Sequence, residues 1–547
     1  MAFNPNSIIY MCNVPFDSSY RHQVYFENVT EQNNYFSNKV VKTFTNYLTI
    51  RSTGPNGSLK SSVKVDANID ELRALGCNYM YYKNQHYTNK IFYAFIKNMV
   101  YVNEHTTEIV FESDVFQTWF LDVQIMQSYV VREHSRTDVV GDNVVPEAFN
   151  FQDFIYEEAI EDGTLDDWGY LVATTELNFE LPSNTGGHIM SGIYQGLYFF
   201  YYDSITEMTS FFDSLEKDSV EFVCVIPKFN VSAQEKGALW DDAAKDQGWI
   251  FSGNEPATKE IEFTFDESYM MFDGYIPKNK KLFTSPFLKL IVTNNQGEQA
   301  EYNIEDFQYN ESPKTRTIKF KMYGDISANP SITLIPLNYK KLEENYEAGL
   351  SISGFPQCAY MNDYFKLWLT KNQYGIALDV GKNLASIGVG LATIGGTGGL
   401  GTAVGGGMIA SGAGGILNTL NNTYQATKEP NRSQSGSAKN NLLTAIKKNK
   451  FCYYWQRIKK EYAKTVDDFF TMYGYQVNKL KEPNLSSRPL FNYVQTVDVN
   501  IKGKPGKAIP QDDMNVLKNI FNAGVTLWKP TATMYAYNLD NSPEADE

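Results

Sequence analysis

The residues able to do acid–base or metal chemistry are few in this chain and badly spaced for it. The five histidines, His22, His86, His105, His134 and His188, stand apart from one another. No HExxH pair occurs, and no Cys/His set falls at zinc-ligand spacing. Glu133-His134-Ser135 lines up an acid, a base and a hydroxyl. Consecutive side chains on a strand point to alternate faces, whereas a catalytic triad needs them to converge. There is no Walker loop and no GxSxG turn. Gly396-Thr397-Gly398-Gly399-Leu400-Gly401 matches GxGxxG in letters only. The dinucleotide fingerprint needs a preceding strand and an acid about 20 positions on, while here the flanks are Gly-rich and the next acid is Glu429. Glu157-Glu158, Glu161-Asp162 and Asp166-Asp167 lack the oxygen-ligand spacing of a calcium loop and read as a solvated acidic face. The expectation is a chain that is no enzyme and holds no metal or cofactor.

What stands out chemically is an absence of charge. From Asn383 to Thr427 no side chain is ionisable as Asp, Glu, Lys, Arg or His, and Asn383 to Leu417 holds 13 of the 38 glycines. Among them sit eleven aliphatic side chains: Leu384, Ile387, Val389, Leu391, Ile394, Leu400, Val404, Met408, Ile409, Ile416 and Leu417. Keeping all of them in water would forgo roughly 15–30 kcal/mol per copy, so they need a dry place. A span of hydrocarbon takes about 20 apolar residues as one helix, and the length permits one helix or a tight hairpin. Each glycine, however, costs a helix about 1 kcal/mol relative to alanine, on the order of 13 kcal/mol in total. A standing transmembrane helix is therefore not expected. The clusters around Gly395–Gly399 and Gly405–Gly407 suit a segment stored in one conformation and deployed in another. The leading expectation is a membrane-active loop; the bland alternative is a flexible linker, although linkers usually pair glycine with Ser and charge.

The surroundings of this run are polar. Lys428 to Ser437 is a turn-rich exit, followed by Lys447, Lys448, Lys450, Arg457, Lys459 and Lys460. That basic stretch suits either anionic lipid or the solvated faces of a strand and helix. Between Lys382 and Lys428 the loop has no group that titrates near neutral pH, its one phenol being Tyr424, so a pH trigger would have to lie outside it.

The elements that must carry such a loop are mainly β. Aromatics make up 14% of 547 residues, with 37 Tyr and 35 Phe, which fits half-buried pleated surfaces, and the length allows about three or four domains. Strands are expected over Tyr79–Tyr82, Lys90–Tyr101 and Thr107–Glu112. A short helix over Ile69–Leu75 should stop at Gly76, and Ser113 should cap a helical turn through Phe120. Near the other end, Phe451–Ile458 reads as a strand, Thr465 with Asp468 as a capping box opening a helix closed by Gly474, and Met514 to Phe521 as a helix ended by Gly524. Net charge of −15 disfavours a standing grip on nucleic acid and suits a conduit through which DNA slides. The five scattered cysteines, Cys12, Cys77, Cys224, Cys358 and Cys452, imply no disulfide framework, and the start lacks the regions of a secretion signal, so synthesis in a cytosol is expected.

Several strings taken together resemble a family, the tail-knob or distal tail-tube proteins of small short-tailed phages (Picovirinae-type podoviruses). They are Asn13–Phe16, Asn89–Phe95, Asp114–Trp119, Tyr129–His134, Phe469-Phe470, Tyr473–Tyr475, Lys481 with Pro483–Leu485, Phe491–Thr496, and Ile520-Phe521 with Gly524–Trp528. The apolar run falls between them, where that family carries its hydrophobic loop. The resemblance implies a multidomain, mainly β fold with minor α. Residues 1–136 and 441–547 would form tail-tube β-barrel subdomains, 137–340 a knob-like β-rich insertion, 341–372 a return to the tube, and 373–440 the Gly-rich loop. It further implies a virion protein at the tail tip, a homohexamer associated with other tail proteins, that passes DNA and engages the host cytoplasmic membrane. A receptor-binding component whose loop only plugs the tube is the rival reading, and a wall hydrolase the weakest.

Overall fold

Period-two alternation builds the first sheet. Tyr79, Tyr81, Tyr93 and Phe95 fall on one face, and Met80, Tyr82 and Ala94 on the other. Successive β side chains point to opposite sides, so a one-residue slip would exchange the two sets. Both sets are buried, so the sheet is packed on both faces. The computed structural model describes residues 7–47, 61–84, 90–174, 189–190, 193–194, 197–214, 220–231, 249–250, 256–268, 270–310, 315–327, 329–359 and 449–543. They are mainly β and divide into two compact units: Met1–Asp153, Met271–Phe287 and Ile458–Glu547 in one, Phe154–Met270 and Leu288–Arg457 in the other.

In the first unit a six-stranded sheet runs in the order Val40–Tyr47, Ser7–Cys12, Tyr79–Lys83, Ile91–Asn103, Thr106–Ser113, Ser61–Val65. Helix Val29–Ser37 covers the aromatic face through Phe36, whose ring lies 5.5 Å from Tyr79 and 4.6 Å from Tyr93. Helix Ile69–Ala74 covers the other face through Leu72, and Gly76 beyond it takes φ 67°, as the expected stop requires. A second sheet joins distant parts of the sequence, in the order His22–Val24, Val525–Trp528, Phe491–Val497, Ser128–Glu133, Tyr475–Lys481. His22–Val24 pairs in parallel with Thr526–Trp528, and helix Gln511–Ala523 packs Leu517, Ile520 and Phe521 beneath it.

Two expected helix starts are corrected. Asp114 caps Val115–Trp119 in place of Ser113: its carboxylate accepts from Gln117 N at 3.1 Å and from the Tyr79 hydroxyl at 2.8 Å. Ser113 is instead the last residue of strand Thr106–Ser113, where its backbone is committed to the ladder. The helix closed by Gly474 starts at Lys460, with Lys459 and not Thr465 at its cap, and the Thr465 hydroxyl donates to Glu461 O within it. Ala463, Val466 and Phe470 form one buried stripe, and burial of that stripe outweighs a local capping signal.

The second unit holds three larger sheets. One orders Ala257–Phe265, Thr315–Gly324, Ser331–Tyr339 and Leu342–Glu344, with Gln308–Asn310 and Leu350–Ser353 paired to its middle strands. Another orders Phe154–Ile160, Cys452–Ile458, Leu288–Thr293 and Gln299–Tyr302, and a third Trp249–Ile250, Tyr198–Tyr202, Trp168–Thr174, Val220–Pro227 and Gln357–Ala359. The core centres on Tyr302, fully buried, with the rings of Phe320 at 5.1 Å and Tyr339 at 5.4 Å.

Candidate functional site: the feet of the apolar segment

The eleven aliphatic residues from Leu384 to Leu417 lie outside the described residues, which end at Ala359 and resume at Asn449. What the structure places is the ground from which the segment departs and to which it returns. Among the described residues no helix is long and apolar enough to cross a membrane.

The outgoing arm is held on both sides of a turn. Leu350–Ser353 pairs with Ser331–Leu334, Gly354 takes φ 68°, and Phe355 is buried with its ring 5.8 Å from Trp168. The Pro356 carbonyl then accepts from Val225 N at 2.8 Å, and Gln357–Ala359 adds an antiparallel strand beside Phe222–Cys224. The returning arm begins at Asn449, 1% exposed, passes the buried Phe451, and pairs Cys452–Arg457 with Leu288–Thr293.

The turn that leaves Leu288–Thr293 reaches both arms. Asn294 Oδ1 accepts from Gln296 N at 2.9 Å and Glu298 N at 3.2 Å, which shapes the turn, while Asn295 and Gly297 take φ 56° and 110°. Asn294 Nδ2 is left to donate to Ser351 O on the outgoing arm at 2.8 Å. Gln296 Nε2 donates both to Ser353 O at 2.9 Å and to Asn449 Oδ1 at 3.0 Å, so one amide group bridges the two arms. Asn295 Nδ2 donates to Cys452 Sγ on the returning arm at 3.2 Å. Asn294-Asn295-Gln296-Gly297 has the composition of a turn, and nothing in that string tells what its side chains reach, 57 to 157 positions away.

The acidic and basic stretches belong to the same ground, and they meet each other. Strand Phe154–Ile160 lies beside Cys452–Ile458, Arg457 is ion-paired to Glu157, and Lys450 lies 3.5 Å from Asp166. Within the first unit Lys459 pairs with Asp153 at 3.2 Å. Of the described members, Lys450, Arg457 and Lys459 thus face carboxylates and Lys460 opens the helix Lys460–Tyr473, an arrangement that fits the solvated faces of a strand and helix; Lys447 and Lys448 lie outside the described residues. No group of three His, Cys, Asp or Glu suited to a metal occurs among the described residues.

Glu133-His134-Ser135 does no converging chemistry either. Glu133 is ion-paired to Lys481 and accepts from Asn484 N at 2.8 Å, while Ser135 O accepts from Arg488 Nε at 3.0 Å. His134 Nδ1 accepts from Tyr493 N at 2.7 Å, leaving Nε2–H for Thr471 O at 3.1 Å. Burial, reinforced by the Arg488 charge, pushes the imidazole down to about 3, so it stays neutral as a tie between strand and helix. Nearby Glu147 answers Lys281 at 2.8 Å, Arg132, and the Gln476 N–H at 2.9 Å. Burial acts to raise its pKa, and these three partners together outweigh it, holding the carboxyl below its ordinary range.

With the geometry in place, the chain can be set against known proteins. Residues 252–542 match the family model of the C-terminal domain of tail knob protein gp9 of Bacillus phage phi29, and residues 6–124 that of the caudoviral major tail protein N-terminus. The tail knob protein gp9 of Bacillus phage B103 is 24% identical over 605 aligned positions, covering 96% of this chain and 98% of that one. Its counterpart in Bacillus phage phi29 is 24% identical, covering 99% and 100%. The structure of the bacteriophage C1 tail knob protein gp12 superposes with a TM-score of 0.58 at 17% identity, over 96% of each chain, a likeness of fold.

Proposed function

The chain belongs to the family of the phi29 tail knob protein gp9, structural proteins of the virion tail and not enzymes, and from that premise we propose that residues 383–417 carry its passage through the host cytoplasmic membrane. As a tail component it associates with other tail proteins of the virion. In the proposed arrangement six copies close a distal tube, the apolar segments are kept from water on its axis, and DNA later slides through without sequence-specific binding. The single observation that carries this reading is the uncharged run Asn383–Thr427, with its eleven aliphatics and 13 glycines in an otherwise acidic chain. Burial on the axis is exchanged for burial in lipid, so the roughly 15–30 kcal/mol at stake per copy is conserved through the change.

Particles lacking residues 384–417 test it. The expected outcome is assembly and adsorption with DNA delivery lost; delivery at the normal level would leave the segment as a plug and move the work to receptor binding. Dye release from liposomes by the isolated 383–417 peptide is the companion measurement. No release at any lipid composition or pH would remove the membrane step.

A further inference from the structure

We infer that the turn Asn294–Gly297 is a clasp that holds the two feet of the apolar segment together, confining any rearrangement of residues 383–417 to chain beyond Ala359 and before Asn449. The inference rests on the proposed reading only in supposing that the segment moves. The clasp itself rests on three side chains: Asn294 on Ser351, Gln296 on Ser353 and Asn449 together, and Asn295 on Cys452. Gln296 is the member that couples the arms, because its Nε2–H groups are shared between a carbonyl of one and a side-chain oxygen of the other. Asn295 ties the turn to the returning arm independently.

Freeing either foot would be expensive. The outgoing foot would have to leave two ladders, Leu350–Ser353 on Ser331–Leu334 and Gln357–Ala359 on Phe222–Cys224, and expose Phe355. The returning foot would have to strip Cys452–Arg457 from Leu288–Thr293 and expose Phe451. The 13 glycines of Asn383–Leu417 would permit a rearrangement of that run without either loss. A fixed base would let the sheets stay closed while the segment changes surroundings.

Asn295→Cys tests this in assembled particles, since it places a thiol beside the native Cys452 Sγ. Diamide takes up the two electrons and two protons as the two thiols join. The expected result is a disulfide between the introduced thiol and Cys452 by peptide mass spectrometry, with linked particles delivering DNA within twofold of the same particles reduced by dithiothreitol. Failure of the linkage to form, or at least a tenfold loss of delivery restored by reduction, overturns the clasp. Gln296→Ala gives a reading that does not depend on delivery. The Gln296 amide also accepts from Ser353 N at 3.4 Å, so its removal should speed hydrogen exchange of the Ser353 amide at least tenfold, with the Ala257–Phe265 strand unaffected. Unchanged exchange at Ser353 refutes the bridge. Unimpaired delivery after deletion of 384–417 would refute the membrane reading and leave both of these results standing.

Discussion

Individual side chains in this protein are spent on ties rather than on reactions, and His134 is the clearest case. An unfolded imidazole titrates at 6.5, whereas the buried one is pushed down to about 3, so unfolding takes up a proton throughout that window. The stability His134 contributes is complete above pH 6.5. It falls by about 1.4 kcal/mol per pH unit as the pH drops toward 3, with no further loss below. His134→Gln should therefore flatten the dependence of the denaturant midpoint on pH between 6.5 and 4; an unaltered slope would assign it to other groups. Glu147 is the second case, because Lys281 beside it is 2% exposed in its side chain and has no bulk water to fall back on. Glu147→Gln should cost about 3–5 kcal/mol in chemical unfolding, and adding Lys281→Met should recover much of that loss. The neutrality of His134 was not legible in the sequence, since it depends on Tyr493 and Thr471, more than 330 positions away.

Elements were legible where the signal was local. Strands Tyr79–Lys83 and Ile91–Asn103 and the helix ended by Gly524 follow from alternation and helical spacing, which a short window contains. Starts were less so: both corrected caps lost to burial or ladder pairing that no window displays. Helix stops held because they are steric. Gly474 has φ 65° and ψ −154°, and a Cβ there would lie 2.2 Å from Glu133 O. Gly474→Ala should destabilise by about 3 kcal/mol or more. Gly506, with φ 78° and nothing within 4 Å, should lose only about 1–2 kcal/mol on the same change. Thermal unfolding of the two variants side by side checks the contrast, and equal losses would mean that the Glu133 carbonyl yields.

At the scale of the whole molecule the proposal is a closed ring with a dry axis. Electron micrographs of the purified protein should show rings or tubes of six copies, and a uniform monomer population would end the hexamer reading. The sequence alone determined that the protein is mainly β, that it holds no metal-ligand or triad spacing, and that one uncharged segment is rich in glycine and aliphatic side chains. Those facts reside in composition, in alternation and in the charge of neighbouring residues, all of which are local. Only the tertiary structure decided that His22–Val24 pairs with Thr526–Trp528, that acidic and basic stretches face each other, and that residues 294–297 bind both feet of the apolar run. Such pairings are chosen by which faces and backbone groups can be satisfied together in three dimensions, a competition among partners hundreds of residues apart that no stretch of sequence contains.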